Sequence, residues 1–185
     1  MSAVPHICDF GWKAPDFSLP GVDGRNHALA DIAGPNGMLL MFICNHCPYV
    51  VSMTERLVPD MAIISELGIG VAAICANDAD NYPQDSFENM KLFAQNNHFN
   101  FPYLHDEDQS VARLYDAVCT PDFFGFNAAG ELQYRGRLDE GRTNQPPAGC
   151  RRDLVEAMTL IAETGAGPKT QISSMGCSIK WKSAA

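Results

Sequence analysis

The chain has 185 residues, of which 46% are hydrophobic and 19% charged, and its formal net charge is −9. That length predicts one domain over residues 1–185, large enough to bury a core without staples, and the composition excludes global disorder. An acidic chain repels phosphate backbones, which argues against a nucleic-acid partner. The longest apolar runs, Met38–Cys44 and Ile69–Ala76, are too short to span a bilayer, so no membrane partner is expected.

Residues 1–6 carry neither a basic segment nor an apolar one, and the expectation is a cytoplasmic protein. Pro15–Pro20, a turn at Gly21-Val22-Asp23-Gly24 and Arg25–Leu29 read as an N-terminal β-hairpin. Met38–Ile43 is a continuous apolar run that suits a strand buried on both faces. A helix is expected over about Pro48–Leu67, with Val50, Leu57, Met61 and Ile64 on one face, a kink at Pro59 and an end at Gly68. Ile69–Ala76 is a second buried strand, and Asp85 with Glu88 three residues on reads as a capping box opening a helix to about Asn97.

Phe101–Leu104 predicts a short strand and Asp108–Tyr115 a short helix. Phe123–Phe126, a turn at Ala129-Gly130 and Leu132–Arg137 form a second hairpin, and Arg151–Glu163 a last helix. Residues 165–185 are expected to be a C-terminal tail docked on the domain through Ile179 and Trp181. The alternation of strands and helices gives an α/β domain with a mixed central sheet and helices on both faces.

Seven cysteines, an odd number, argue against a disulfide scaffold in a reducing compartment. The sharpest motif is Cys44-Asn45-His46-Cys47-Pro48, placed where a buried strand gives way to a helix. Two thiols at this spacing can close a disulfide around the first helical turn. Unpaired N–H groups there favour a thiolate, and Pro48 fits the first turn without loss. On this reading Cys44 attacks and Cys47 resolves, and His46 between them tunes the thiolate. The same pair also reads as half of a metal site completed by His46 and by His98 or His105, or as packing. Cys119-Thr120-Pro121, before an apolar strand, is either a cis-proline edge that receives a partner's extended chain or an ordinary trans turn.

Together these residues resemble the thioredoxin-like superfamily in its redoxin, peroxiredoxin-like (AhpC/TSA) branch. The resemblance runs from about Phe10 to Lys182 and rests on Ala14–Leu19, the Cys44–Cys47 dithiol with Pro48-Tyr49-Val50, and Asn77-Asp78. Tyr82–Ser86, Phe101–Leu104, Thr120–Phe124, Tyr134–Asp139 and Gly176–Lys182 complete it. It implies a thioredoxin-like fold, and it makes Thr120-Pro121 a cis-proline substrate-binding site. It also implies a thiol or disulfide redox partner, either a protein or a glutathione-like small thiol, with no bound cofactor and no resident metal. A homodimer is compatible with it.

Against the peroxiredoxin signature, Pro-x-x-x-Thr/Ser-x-x-Cys with a distant arginine, Cys47 takes the peroxidatic position. Cys44 stands at the threonine, Leu40 at the proline and Pro121 at the arginine. Without those donors a breaking O–O bond lacks support, so dithiol exchange ranks above thiol peroxidase, with a Cys/His metal binder as a further alternative. The position of thioredoxin's buried aspartate falls at Met38 and leaves no assigned base. Asn45 is a candidate to line the site, and Asn77 and Asp78 at the end of the second buried strand read either as a loop or helix cap or as site lining. Arg135 and Arg137 read as a solvated strand face, with an anion such as glutathione as the alternative. Cys75 reads as core, Cys119 as packing with a thiol in exchange range as the alternative, and Cys177 as part of a tail that docks through Ile179 and Trp181, with a redox role as the alternative. Cys177 in a folded-back tail would be an extra resolving thiol for Cys44.

Overall fold

The computed structural model describes residues 2–6 and 8–183. In chain order its elements are β1 (Ser2–Ala3), β2 (Ser18–Pro20), β3 (Asn26–Ala28), α1 (Leu29–Ile32), β4 (Gly37–Phe42), α2 (Pro48–Val51), α3 (Thr54–Glu66) and β5 (Ile69–Cys75). They continue as α4 (Phe87–Asn96), β6 (Tyr103–His105), α5 (Ser110–Leu114), β7 (Cys119–Thr120), β8 (Asp122–Asn127), β9 (Leu132–Tyr134), α6 (Asp153–Thr164) and β10 (Gly176–Ser178).

The apolar run of β4 lies at the centre of a mixed sheet. All of β4 is buried, and it pairs antiparallel with β8, which pairs antiparallel with β9. On its other side lies β5, tied to the end of β4 by Ile43 N–H donating to Ile74 O at 3.0 Å, and β5 pairs parallel with β6. Alternation divides the core in two. Leu39, Met41 and Ile43 pack with Leu57, Met61 and Ile64 of α3 and Leu154 and Met158 of α6. Met38, Leu40 and Phe42 face Ile32 of α1 and Val111 and Ala112 of α5. Burial on both faces is why the run is continuous rather than alternating. The N-terminal hairpin is β2 with β3, in antiparallel register.

The helix after the dithiol is two helices, and Pro59 is not the break. Pro59 lies inside α3, whereas the chain parts at Ser52-Met53. There the Ser52 hydroxyl donates to Tyr49 O and Arg142 O, and Ser52 O accepts from Arg56 Nη1. Side-chain bonds replace the helical ladder at that point. The capping box is also corrected. Ser86, not Asp85, caps α4 by accepting from Asn89 N–H, and Asp85 closes the 3₁₀ turn Pro83–Asp85 with its carboxyl turned inward.

The second hairpin is shorter than expected, because β9 ends at Tyr134. Arg135 and Arg137 therefore do not form a solvated face. Arg135 is buried, 3.0 Å from the fully buried Asp122 and 4.5 Å from the centre of the Phe124 ring. Arg137 pairs with Asp153 at 2.7 Å. With their charges engaged, neither is free for an anionic ligand.

The tail forms β10, the middle strand of a small sheet in which it pairs antiparallel with β1 on one side and β7 on the other. A Cβ at Gly176 would collide with the Thr120 carbonyl, so only glycine allows this approach. Ile179 is buried, and Trp181 is half-exposed beneath the Arg113 guanidinium, 4.4 Å from its ring centre.

Candidate active site

Strand register brings the two motifs together. Phe42 lies opposite Asp122 at the end of the β4–β8 ladder, and continuing past it sets Thr120 beside Cys44. The Cys44 sulfur is 3.2 Å from Thr120 Oγ1, and the Cys47 thiol donates to Thr120 O at 3.0 Å. The Thr120–Pro121 peptide is cis. One residue therefore touches both sulfurs, through its side chain and its carbonyl. Cys44 and Cys47 are 1% and 0% exposed.

Helix geometry assigns the charge differently from the spacing argument. Cys47 is the N-cap of α2 and Pro48 its first residue, so the open end of the helix serves Cys47 rather than Cys44. Cys47 is pulled down to about 4, mainly by the hydrogen bond from Cys44. Burial opposes this, and the thiol and N–H of Cys177 and the N–H of Val50 assist it. Cys44 is pushed far above an ordinary thiol by that bond to Cys47, then by burial and by the negative charge of Asp85. The pair loses its protons in two widely separated steps. Fully protonated, Cys47 donates to Thr120 O. After the first proton leaves, the anion rests on Cys47, and Cys44 keeps its proton and donates to it.

Asp85 is the functional group that sequence reasoning missed. Its side chain is completely buried, accepting from Asn45 N–H at 2.8 Å and Asn77 Nδ2 at 2.7 Å. His46 Nδ1 stands 2.7 Å from Asp85 Oδ2, off the line of a hydrogen bond, and its ring stacks on Tyr82 with planes 3° apart. The Cys44 sulfur, a His46 ring nitrogen and an Asp85 oxygen all lie within 4.8 Å of one another. Asn45 is fixed by donating to Gln84 O and accepting from Tyr103 Oη. A buried carboxyl thus stands beside Cys44, supplied from the β5–α4 connection. The available signal was the adjacency of Asp85 and Ser86: only one of them caps a helix, and the other is left with a carboxyl to place.

The other expected residues divide. Asn77 reaches the site, donating to Asp85 and accepting from Lys180 N–H at 2.9 Å. Asp78 does not. It holds its own loop through Asp80 N–H and Asn81 Nδ2. Cys177 lies opposite Thr120 in the β10–β7 pair and packs partly buried against the core that holds the dithiol. It meets Cys47, not Cys44 as expected. Burial, followed by the bond to Cys47, pushes its thiol up to about 11. Cys119 and Cys75 are buried, and burial raises both thiols. His105 stacks on Phe87 and His98 follows α4. Neither belongs to the cluster at Cys44, and both oxygens of Asp85 already accept hydrogen bonds.

A mixed sheet, a dithiol at the end of its central strand and a cis-proline against it define a thioredoxin-like thiol oxidoreductase. The chain belongs to the AhpC/TSA family, whose model matches residues 10–135. An uncharacterised conserved protein of Geobacillus kaustophilus superposes with a TM-score of 0.91 at 40% identity, covering 100% of this chain and 98% of that one. A Mycobacterium tuberculosis protein assigned by name to the peroxiredoxins is 25% identical over 130 residues, which is 70% of this chain and 78% of its own. The thioredoxin domain of a Bacteroides vulgatus thiol-disulfide oxidoreductase shares the fold, with a TM-score of 0.58 at 16% identity over 68% of this chain and 86% of that one.

Proposed function

We propose that Cys44 and Cys47 are the redox couple of a thiol-disulfide oxidoreductase, cycling between a dithiol and an internal disulfide at the expense of an external thiol or disulfide. The observation that carries this reading is the single residue Thr120 in contact with both sulfurs. Oxidation removes two electrons and two protons from the pair. One proton is already labile at Cys47, and the other leaves Cys44 towards Asp85, the buried carboxyl nearest to it. Asp85 thus fills the role left without a residue by Met38. Asn45 N–H and Asn77 hold Asp85, with a His46 ring nitrogen 2.7 Å away, and so set the field at Cys44. The Thr120 edge expected to receive a partner's chain is occupied by β10, which places Cys177 opposite Thr120. A reducing cytoplasm suits the odd number of cysteines in this chain.

The test is a titration in glutathione buffers, read by peptide mapping of trapped thiols. The expected result is one reversible two-electron step linking Cys44 to Cys47, at a potential in the oxidoreductase range of roughly −270 to −120 mV. A pair that never closes defeats the proposal.

A second reading, a thiol peroxidase with an antioxidant role, is favoured by the anion resting on Cys47, the family's peroxidatic position. Hydroperoxide would oxidise that sulfur to a sulfenate, and Cys44 would condense with it to the same disulfide, releasing water. Steady peroxide turnover with a thiol reductant distinguishes this reading, and its absence with the titration intact leaves dithiol exchange alone.

A further inference from the structure

Taking the Cys44–Cys47 couple as its premise, we infer that Cys177 is the sulfur at which external thiols enter and leave, and that it relays the disulfide outward from the buried pair. The geometry points to this in three ways. Cys44 and Cys47 are 1% and 0% exposed, so both sulfurs are shielded from a direct attack by an external thiolate. Cys177 is only partly buried and lies opposite Thr120, the residue that touches both buried sulfurs. Its side chain packs against the cluster that holds Cys44 and Cys47, and its hydrogen bonds help to pull the Cys47 thiol down.

The relay balances without any oxidant beyond the partner. In the oxidised protein the Cys177 thiolate attacks the Cys47 sulfur. The Cys47–Cys177 bond forms and the Cys44–Cys47 bond breaks. Cys44 leaves with the electron pair and takes up the proton that Cys177 released. This step is an isomerisation. A partner thiolate then attacks Cys177, forming a mixed disulfide and expelling Cys47 as a thiolate, the form its surroundings favour and hence a good leaving group. A second partner thiol attacks the partner's own sulfur in the mixed disulfide. The partner disulfide leaves, and Cys177 takes the remaining proton. Two electrons have passed from the two partner thiols to the buried pair, and a partner disulfide drives the same steps in reverse.

The test uses the full-length protein with glutathione as probe. In oxidised Cys44→Ser, peptide mapping should find a Cys47–Cys177 disulfide. In Cys177→Ser both the formation of the Cys44–Cys47 disulfide by oxidised glutathione and its reduction by glutathione should slow at least tenfold relative to the unaltered protein. Cys177→Ala should behave the same way, and Cys119→Ser, another thiol of the same neighbourhood, should leave the rate unchanged. Reduction of Cys177→Ser at the unaltered rate would overturn the relay while leaving the couple standing, and so would a Cys44→Ser protein that yields only glutathione adducts of Cys47. Failure of the unaltered protein to form any Cys44–Cys47 disulfide would instead refute the couple itself.

Discussion

Thr120→Val isolates one contact of the couple. The substitution removes the hydroxyl 3.2 Å from the Cys44 sulfur and leaves the carbonyl that accepts from Cys47. In the dithiol, hydroxyl and thiol hydrogen-bond to each other. In the disulfide the sulfur has no proton and is a weak acceptor, so the bond stabilises the reduced form. A buried neutral hydrogen bond contributes about 0.5–1.5 kcal/mol. For a two-electron couple 1.4 kcal/mol corresponds to about 30 mV, so the potential should become more negative by roughly 10–30 mV. Thr120→Ser keeps the oxygen and should restore the potential of the unaltered protein. Glutathione titration measures all three. A shift of Thr120→Val towards less negative potential would refute the reasoning, as would Thr120→Ser moving as far as Thr120→Val.

The remaining expectations concern the buried charges and α3. Asp85→Asn removes the acceptor for the Cys44 proton and should slow formation of the Cys44–Cys47 disulfide at pH 7 by roughly 10²-fold. Raising the pH should recover the rate in rapid-quench alkylation, and an unchanged rate would exclude Asp85 as acceptor. Arg135→Ala leaves the fully buried Asp122 without its cation, at a cost of about 3–5 kcal/mol or a melting temperature lower by roughly 6–20 °C at pH 7. Burial holds Asp122 up at about 6 even beside Arg135, against 3.8 unperturbed. Its contribution to stability is therefore greatest below 3.8 and falls as pH rises through 6. The Arg135→Ala deficit should accordingly shrink on acidification from pH 7 to 5 in parallel melts, and a deficit independent of pH would contradict this. Pro59→Ala, at an exposed position inside α3, should stabilise by about 2 kcal/mol, since proline costs about 3 in a helix interior and returns up to about 1 through the unfolded chain. A melting temperature that does not rise would show that the helix is adapted to the proline.

Local patterns carried the parts of the fold that local physics decides. The strands β4 and β5 were legible because burial on both faces demands an unbroken apolar run, and Met38–Ile43 and Ile69–Ala76 supply it. The first hairpin was legible because Gly21–Gly24 is a turn sequence between two extended segments. The small sheet of β1, β7 and β10 was not, since strands this short carry no alternation to read. Pro59 misled because proline's local cost was weighed without the tertiary bond from Ser52 to Arg142 and the Arg56 side-chain bond to Ser52 O at the true break.

The site divides along the same line. Cys44-x-x-Cys47 is a spacing within one turn, and sequence displays it directly. Asp85 reaches Asn45 from 40 residues away, and nothing local separates a carboxyl that caps a helix from one buried under a loop. What separates them is the competing cap at Ser86. Once Ser86 takes the Asn89 N–H, Asp85 needs other donors, and Asn45 and Asn77 supply them. The same reasoning applies to charge within the dithiol. Spacing placed the thiolate on Cys44, as though the helix began there. The helix begins at Pro48, so Cys47 stands at its open end, and the hydrogen bond from Cys44 leaves the anion on Cys47, next to Cys177 and away from Asp85. Cys44 is thereby left holding a proton beside a carboxyl, the arrangement a resolving thiol needs if it is to ionise only when a disulfide is being made or broken.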